Sequence, residues 1–287
     1  MSLVREGQKN ISAQDLNITD SRYGLTLPLY KCHECSFLQC EIDSLDNLYE
    51  QLEDTGYIES FKQREKQFEF LLKTTLPCIH GFEGNNSNLK ILDVGAGTGL
   101  FVKCALDYGV SAQGIEPSTY LADYAISQGL PVVNASTPDY APHTFDAIYM
   151  TDVLEHIADP LPLLKEYNKT LKDGGVIFMT TPDVSSFLAR IMGKRWWHYR
   201  LAHVGYYNKN TLNSIMLRAG FSFKRYLPVR WYFAAEYAFE RLGQYLPFLR
   251  GRRCPKVFKK LFIPISFGDS ILSVYIKSET RDIANIK

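Results

Sequence analysis

From residue 89 onward, short apolar runs alternate with longer stretches in which apolar residues recur at helical spacing. Short runs bounded by turn residues are typical of buried strands, and the longer stretches are typical of amphipathic helices. Their regular alternation predicts a mainly parallel sheet with helices on both faces. The predicted strands are KILDVG, SAQGIEP, LPVVNA, FDAIYMTD and GVIFMTT, and the helices between them are GLFVKCALDYG, STYLADYAISQG and DPLPLLKEYNKTLKDGG.

The chain before residue 89 has a different pattern. Residues 1 to about 30 are polar and aperiodic, which predicts a loose arm. YKCHECSFLQC (30–40) predicts a compact turn or hairpin that carries three cysteines. Apolar residues at helical spacing between Ser44 and Leu76 predict two helices with a break at Gly56. These helices would cap one side of the α/β region.

Beyond Pro182 the alternation loosens and the chain becomes aromatic and basic. We therefore divide the chain into an N-terminal unit, 1–80, and a main domain, 81–287, with a basic aromatic insertion at about 184–265. The elements predicted in this part are a helix in NTLNSIMLRAGF, a strand in FSFKRYLP, an amphipathic helix in WYFAAEYAFERLGQYLPFL and a strand in DSILSVYIKS.

The composition of the 287 residues, 46% hydrophobic and 22% charged, is that of a globular protein. The sequence has no apolar stretch long enough to cross a membrane, and its N-terminus lacks the apolar segment of a secretory signal. The six cysteines lack the spacing of a disulfide scaffold. These features predict a cytoplasmic protein. Such a protein could also contact a membrane peripherally.

The net charge of +1 conceals a strong local imbalance. Residues 190–260 contain 16 lysines and arginines but two acidic residues. Three partners fit such a segment: an anionic substrate, an anionic membrane surface contacted through residues 231–262, or a nucleic acid. We favour the substrate, because no nucleic-acid-binding module is recognisable in the sequence.

The stretch ILDVGAGTGL (91–100) predicts a strand that runs into a cofactor-binding glycine loop. Gly95, Gly97 and Gly99 occupy the first, third and fifth positions, whereas a dinucleotide fingerprint needs a glycine at the sixth. Asp93 would repel a pyrophosphate bound at the following helix. The carboxylate favours a cofactor with cationic groups and no phosphate, such as S-adenosylmethionine.

These residues resemble the class I S-adenosylmethionine-dependent methyltransferase family. ILDVGAGTG is similar to its first motif, and GIEPS carries the acidic residue that binds the ribose hydroxyls. FDAIYMTDVLEHIADP and LKDGGVIFMTTP are similar to its motifs at the fourth and fifth strands. The cofactor-binding residues that the resemblance implies are Asp93, Gly95, Ala96, Gly97, Gly99, Glu116, Pro117, Asn134, Ala135, Thr151, Asp152 and Val153.

The resemblance implies a Rossmann-like, seven-stranded mixed α/β sheet with helices on both faces and an antiparallel last strand. It also implies in-line methyl transfer, which we expect on oxygen, and less readily on nitrogen or carbon. The acceptor would be a small molecule, a sugar or glycan, or a lipid-linked intermediate. Two alternatives stay open: an NAD(P)-dependent oxidoreductase, and a non-catalytic binding protein on a methyltransferase fold.

An oxygen or nitrogen acceptor must lose a proton during such a transfer, so a base is expected near it. The segment GKRWWHYRLAHVGYY provides histidines, tyrosines and basic residues for an acceptor wall, although it could equally be a packed aromatic lid. Arg195 or Arg200 could hold an anionic acceptor group, and Tyr57 could reach over the carboxylate of the cofactor. The candidate catalytic residues are His203, His156, Glu155 and Tyr206, with His198 as a further candidate.

Cys32, Cys35 and Cys40 have the spacing C-x2-C-x4-C. A structural zinc ion needs four thiolate or imidazole ligands. A fourth ligand could come from elsewhere in the N-terminal unit, so zinc is one interpretation and three reduced thiols are the other. The candidates for the fourth ligand are His33, Cys78 and His80.

Overall fold

The computed structural model describes residues 1–17, 22–42, 44–59, 61–84, 88–137, 140–234 and 261–278. The strands of this part of the chain are β1 (Ser2–Arg5), β2 (Leu29–Lys31), β3 (Leu38–Cys40), β4 (Lys90–Val94), β5 (Ser111–Glu116), β6 (Val132–Asn134), β7 (Phe145–Thr151), β8 (Leu171–Pro182), β9 (Gly205–Tyr206), β10 (Phe221–Leu227), β11 (Trp231–Ala234), β12 (Phe262–Ile265) and β13 (Ser270–Lys277). The α-helices are α1 (Asp46–Glu50), α2 (Thr55–Glu59), α3 (Phe61–Thr75), α4 (Leu100–Asp107), α5 (Thr119–Ser127), α6 (Pro160–Thr170), α7 (Phe187–Met192) and α8 (Lys209–Arg218).

Seven strands form the central sheet in the order β10-β13-β8-β7-β4-β5-β6. Strands β4 to β8 pair in parallel, and β13 pairs antiparallel with both β8 and β10. The prediction of a seven-stranded mixed sheet with an antiparallel last strand is confirmed. The chain leaves β4 toward β5 on one side and later returns to β7 on the other, so β4 and β7 flank a topological switch point, where α/β sheets bind ligands.

Two apolar clusters cover the faces of this sheet. One joins α3 and α4 to strands β4 and β7, with Phe68, Leu72 and Phe101 among its buried members. The other packs α6 and α8 against the opposite face through residues such as Leu164 and Leu212. Burial on both faces explains why the central strands are continuous apolar runs in the sequence.

The described residues up to about 30 do not form the loose arm that their polarity predicts, and 30–40 form the predicted hairpin. Strands β1, β2 and β3 make an antiparallel sheet, which β9 extends through the pairing of Leu38 with Tyr206. A third apolar cluster joins this N-terminal sheet to the segment after α7, with Leu16, Leu29 and Trp196 buried together. The N-terminal sheet is thus packed onto the start of the predicted insertion.

The segment from Val204 to Tyr206 lies between the N-terminal sheet and the end of β7. The amide of Cys40 donates a hydrogen bond to the carbonyl of Val204, 2.8 Å away, and the amide of Val204 donates to the carbonyl of Glu155, also at 2.8 Å. Residues far apart in the sequence therefore fix the backbone next to His203.

Several predicted helices differ in the structure. Between Ser44 and Leu76 the described residues form three α-helices, and one break lies at 51–54 while Gly56 is inside α2. The helix predicted over 159–175 ends at Thr170, and β8 begins at Leu171. Trp231–Ala234 begins the segment predicted as an amphipathic helix, but it is strand β11, paired with β12. Its aromatic residues favour the extended conformation. Residues 235–249 of that prediction lie outside the described residues.

No helix in the described ranges combines the length and the apolar character needed to cross a bilayer.

Candidate active site

A cavity of about 760 Å³ opens at the carboxyl ends of β4, β5 and β7. Helices α1 to α3 and the segment 198–203 close its other sides, and Tyr232 and Phe233 of β11 reach its rim. The cavity therefore lies at the switch point of the sheet, and both the N-terminal unit and the insertion contribute to it. Its polar and charged lining residues include Asp46, Tyr49, Tyr57, Arg64, Asp93, Glu116, Ser136, Thr137, Thr151, Asp152, Glu155, His156, Asp159, Glu166, His198, Arg200 and His203.

The glycine loop forms the floor of this cavity with bare backbone. Gly95, Gly97 and Gly99 have φ angles of +71°, +55° and +73°, a region that favours glycine. A Cβ atom on Gly97 would lie 2.7 Å from the Tyr57 ring, and one on Gly95 would lie 2.7 Å from Val153. The loop thus needs glycine both for its conformation and for the close approach of these side chains.

Glu116 ends β5 and closes one side of the loop. One oxygen of its carboxylate accepts a hydrogen bond from the amide of Gly97 at 2.7 Å, and the other accepts from the amide of Ser118 at 2.8 Å. Burial raises the pKa of Glu116 to about 7, although the two amides oppose this shift. An acid in this position can accept hydrogen bonds from two neighbouring hydroxyl groups of a ligand.

Asp93 and Asp152 are the other acids that lie over the loop. Burial raises the pKa of Asp93 well above its usual value and raises the pKa of Asp152 to about 7. Asp152 has a φ of +53°, and its Oδ1 is buried without a hydrogen-bond partner among the described residues. Three desolvated carboxyl groups at one end of a cavity, counting Glu116, form a strongly cation-selective environment.

Arg64 of α3 is a functional candidate that the sequence interpretation missed. Its guanidinium lies 3.4 Å from the centre of the Tyr57 ring and donates a hydrogen bond to the Tyr57 hydroxyl. Burial lowers its pKa to about 9, and Nη1 has no partner among the described residues. A signal was available: Arg64 has helical spacing with buried Phe68, Leu71 and Leu72, so it is a charge on an apolar face.

Three histidines line the opposite end of the cavity. The His203 ring lies edge-on to His156, with centroids 4.8 Å apart, and stacks with His198 at 6.1 Å. Nδ1 of His156 lies 2.6 Å from the Tyr49 hydroxyl and 2.9 Å from the carbonyl oxygen of Ala202. These contacts fix the His156 ring, and burial lowers its pKa to about 4.

His203 is buried, and Nδ1 of its ring has no hydrogen-bond partner among the described residues. Burial first, and the neighbouring His156 and His198 next, lower the pKa of His203 well below its usual value. The imidazole is therefore neutral near pH 7, which is the form that can accept a proton.

Glu155 lies beside these histidines. Its Oε2 accepts a hydrogen bond from Thr181 at 3.0 Å, whereas Oε1 is buried and unpartnered in the described structure. Burial raises the pKa of Glu155 well above its usual value. Glu155, His156 and His203 each bring a ligand atom within 4.8 Å of the other two. Among the described residues, these three side chains lie close enough together to hold a metal ion.

Most of the predicted cofactor-binding and catalytic residues line this one cavity, but four of them do not. Gly99 lies beneath the loop against Leu130, Ala125 and Val132, where it starts α4. Asn134 and Ala135 bond to the backbone at Glu116 and Pro117, and the cavity wall contains Ser136 and Thr137 instead. The Tyr206 hydroxyl donates to the carbonyl of Arg200 within the third apolar cluster. Those that line the cavity are Tyr57, Asp93, Gly95, Ala96, Gly97, Glu116, Pro117, Thr151, Asp152, Val153, Glu155, His156, His198 and His203.

The aromatic and basic segment divides between core and cavity. Trp196 is fully buried, and its indole nitrogen donates to Asp269 at 3.3 Å, so it packs as part of the interior. Arg200 lines the cavity, whereas Arg195 is exposed away from it.

The three cysteines do not converge within the described structure. Cys32 and Cys35 lie in the turn between β2 and β3, and Cys40 is buried at the end of β3. The Cys40 thiol donates to the carbonyl oxygens of Leu27 and His203, at 3.9 Å and 3.7 Å. Burial raises its pKa to about 12, which disfavours the thiolate that a zinc ion needs.

Residues 63–224, more than half of the chain, match a family of methyltransferase domains. Among curated proteins, the ubiquinone biosynthesis O-methyltransferase of Aliivibrio fischeri (strain MJ11) is 31% identical over 115 residues, which are 36% of this chain and 49% of that protein. Phosphoethanolamine N-methyltransferase 1 of Triticum aestivum is 33% identical over 102 residues, which are 32% of this chain and 20% of that protein. The chain thus spans about half the length of the first of these relatives, or less.

A solved S-adenosylmethionine-dependent methyltransferase from Archaeoglobus fulgidus has the same fold. It superposes with a TM-score of 0.50 at 16% identity, over 78% of this chain and 100% of that one. With the family match, the strand order and the glycine loop that Asp93 and Glu116 flank, the chain belongs to the class I S-adenosylmethionine-dependent methyltransferase family.

Proposed function

We propose that this protein transfers a methyl group from S-adenosylmethionine to an oxygen atom of a small molecule. The observation that carries the proposal is the cluster of Asp93, Glu116 and Asp152, three acids around one glycine loop whose carboxyl groups are all desolvated. A ligand with an ammonium and a sulfonium group would offset the cost of keeping these carboxylates charged away from water. A pyrophosphate would be repelled by them.

The residues present fit such a cofactor. Asp93 and Asp152 would face its cationic methionine end, and the unpartnered Nη1 of Arg64 would bind its carboxylate. Tyr57, which contacts Arg64 and Gly97, would cover this end of the ligand. Glu116 would hold the ribose hydroxyls, and the cavity wall at Ser136 and Thr137 would border the base.

The acceptor would lie between the glycine loop and the histidines. Bound S-adenosylmethionine supplies a methyl group that is already activated for in-line displacement. Neutral His203 would remove the proton of an acceptor hydroxyl, and Tyr49 would keep His156 beside it. The same buried wall excludes water from the reacting atoms.

The finer nature of the acceptor is also a proposal. An anionic group would have to lie next to Arg200, because carboxyl groups dominate the rest of the lining. The similar O-methyltransferase and N-methyltransferase support a small acceptor of either kind, and the neutral imidazole favours oxygen. Membrane contact through 231–262 stays a prediction, since most of that segment lies outside the described residues.

A transfer assay with methyl-labelled S-adenosylmethionine and fractions of a cell extract tests the proposal. We expect label in a small-molecule fraction and no transfer by Asp93→Asn. In parallel, S-adenosylhomocysteine should raise the unfolding temperature of the wild type. Stabilisation by NADH alone would indicate an oxidoreductase, and binding of S-adenosylhomocysteine without transfer to any fraction would indicate a non-catalytic protein.

A further inference from the structure

Helix α7 presents two large apolar side chains to solvent. Phe187 is 78% exposed and Ile191 is 66% exposed, the highest values among the large apolar side chains of the described residues. They are four residues apart and therefore share one face of the helix. On the other side, Ala189 packs into the third apolar cluster with Trp196. The helix is thus held by one face and is apolar on the other.

Basic residues surround this apolar face. Arg190, Lys194 and Arg195 are all exposed. The sequence contains no aspartate or glutamate between residues 184 and 235, so no acid in that stretch offsets their charge. Exposed aromatic and aliphatic side chains next to three exposed cations match the chemistry of an anionic lipid surface, which offers hydrocarbon beneath a layer of phosphate.

The same helix adjoins the rim of the cavity. The amide of Asp183, just before α7, donates to the carbonyl of Asp269 at 2.8 Å. After α7, the Trp197 ring lies 5.3 Å from Phe267, which in turn lies 5.9 Å from Phe233 on the cavity rim. Both ends of the α7 segment therefore contact the 267–269 turn, and an aromatic series leads from it to the cavity.

We infer that Phe187, Arg190, Ile191, Lys194 and Arg195, here called the α7 surface, bind the surface of an anionic lipid bilayer. Phe187 and Ile191 enter the boundary between headgroups and acyl chains, and the three cations pair with headgroup phosphates. Docked in this way, the protein places the cavity rim at Phe233 next to the lipid. Lipid binding uses no residue of the cofactor site and does not depend on the proposed function. Only its suggested role, to place the cavity next to the lipid, rests on that function.

Co-sedimentation of the full chain with lipid vesicles tests this inference. The wild type should sediment with vesicles of equal parts phosphatidylcholine and phosphatidylglycerol, and not with phosphatidylcholine alone. Phe187→Ser combined with Ile191→Ser should weaken the partition about tenfold or more. The matched control is Leu106→Ser with Ile126→Ser, which removes side chains that are 40% and 49% exposed on α4 and α5. This control should sediment like the wild type.

The charge contribution is tested separately. Lys194→Glu with Arg195→Glu should weaken binding by about thirtyfold or more, since each basic residue near an anionic surface contributes about 1 kcal/mol and each reversal also adds repulsion. Added salt should weaken wild-type binding for the same reason. Lys73→Glu with Arg218→Glu, which are exposed on α3 and α8, should have little effect.

Stabilisation by S-adenosylhomocysteine, measured on every variant, shows that each one is folded and separates this inference from the proposed function. Equal sedimentation with both kinds of vesicle would overturn the inference, as would α7 variants that sediment like the wild type. An α7-dependent dimer in the absence of lipid would overturn it in favour of a second copy of the chain.

Discussion

Asp152 combines a buried oxygen that has no described partner with a strained backbone. Both features lower the stability of the ligand-free protein. Its φ of +53° is uncommon for a residue with a side chain, and its Oδ1 is buried without a described partner. Sites that are built to bind charge are often destabilised when they are empty. The residue therefore gives a direct test of whether the carboxyl cluster exists for a ligand.

We predict that Asp152→Asn stabilises the ligand-free protein at pH 8 and weakens binding of S-adenosylhomocysteine. Burial raises the pKa of Asp152 from 3.8 to about 7, so between these values the folded state binds more protons than the unfolded state. This carboxyl therefore lowers stability as the pH rises, and the gain from Asn should be on the order of 4 kcal/mol at pH 8 and should fall below about 1 kcal/mol near pH 4.

Thermal unfolding of both proteins at several pH values, with and without S-adenosylhomocysteine, measures these effects. Comparing the two proteins cancels the opposite contribution of the buried histidines. An Asn variant that is less stable at every pH would contradict a ligand-binding role for this carboxyl group.

A second prediction concerns His203. Replacing it by glutamine should reduce kcat by roughly 10²–10⁴, the usual contribution of a general base, and leave the affinity for S-adenosylhomocysteine unchanged. Because the pKa of His203 is well below its usual value, wild-type activity should not fall through pH 6.5 on account of this residue. The control is His80→Gln on the surface, and a kcat equal to that of the wild type would exclude His203 as the base.

At the residue scale, the sequence was sufficient to predict the cofactor-site residues near the glycine loop. It was not sufficient for residues whose position depends on packing between distant segments. Asp93 and Glu116 lie next to the loop in the sequence or at the end of the following strand, so their positions follow from local order. Tyr206 was expected in the cavity, but this prediction was wrong. Its backbone pairs with Leu38, and its side chain lies in the third apolar cluster. Arg64 could have been found as a charge on an apolar helix face.

At the scale of elements, the glycine loop and α2 act as a pair. The Tyr57 ring of α2 lies directly over Gly97, so the position of this helix and the shape of the loop depend on each other. A change in the loop should therefore affect the roof of the cavity as well as its floor.

Gly97→Ala should weaken binding of S-adenosylhomocysteine and lower the unfolding temperature. The added Cβ would lie 2.7 Å from the Tyr57 ring, on a backbone with a φ of +55°. Gly81→Ala is the matched control, because Gly81 has a φ of +80° and no atom within 4 Å of an added Cβ. It carries the same backbone cost of about 1 kcal/mol without the contact. Calorimetric titration of both variants should show a loss of affinity in Gly97→Ala alone.

The elements themselves were predictable to different degrees. Strands β4, β5 and β7 are short apolar runs bounded by turn residues, so the pattern located them, whereas β8 begins at Leu171, inside the segment predicted as a helix. Strands β2 and β3 have three residues each, and β9 has two, too few for a periodic signal. Their sheet exists because β3 pairs with residues that are more than 160 positions away, which local pattern does not encode.

At the scale of the whole molecule, the N-terminal sheet is part of one structure with the α/β domain. Leu29 of β2 is 2% exposed within the third cluster, which also contains Trp196 and Val204 from the segment after α7. Unfolding of the N-terminal sheet alone would expose that cluster, so the two parts should unfold together.

We predict that Leu29→Ala lowers the free energy of unfolding by about 2–5 kcal/mol, the range for removing a buried leucine, in a single transition. Leu3→Ala on the neighbouring strand β1 is the control, because Leu3 is 49% exposed and should cost little. Denaturant unfolding, followed by tryptophan fluorescence and by far-UV circular dichroism, checks both values. A separate early transition would show that the sheet unfolds independently.

The hydrogen bonds that run from Cys40 through Val204 to Glu155 have an evolutionary consequence. The match to methyltransferase domains begins at residue 63, after the N-terminal sheet, yet that sheet supports the backbone that carries His203. Under the proposed function, the glycine loop and its three acids thus lie within the matched range, while the acceptor end of the cavity also depends on a segment outside it. Exchange of that segment between relatives would be a route to new acceptors in which the glycine loop and its three acids need not change.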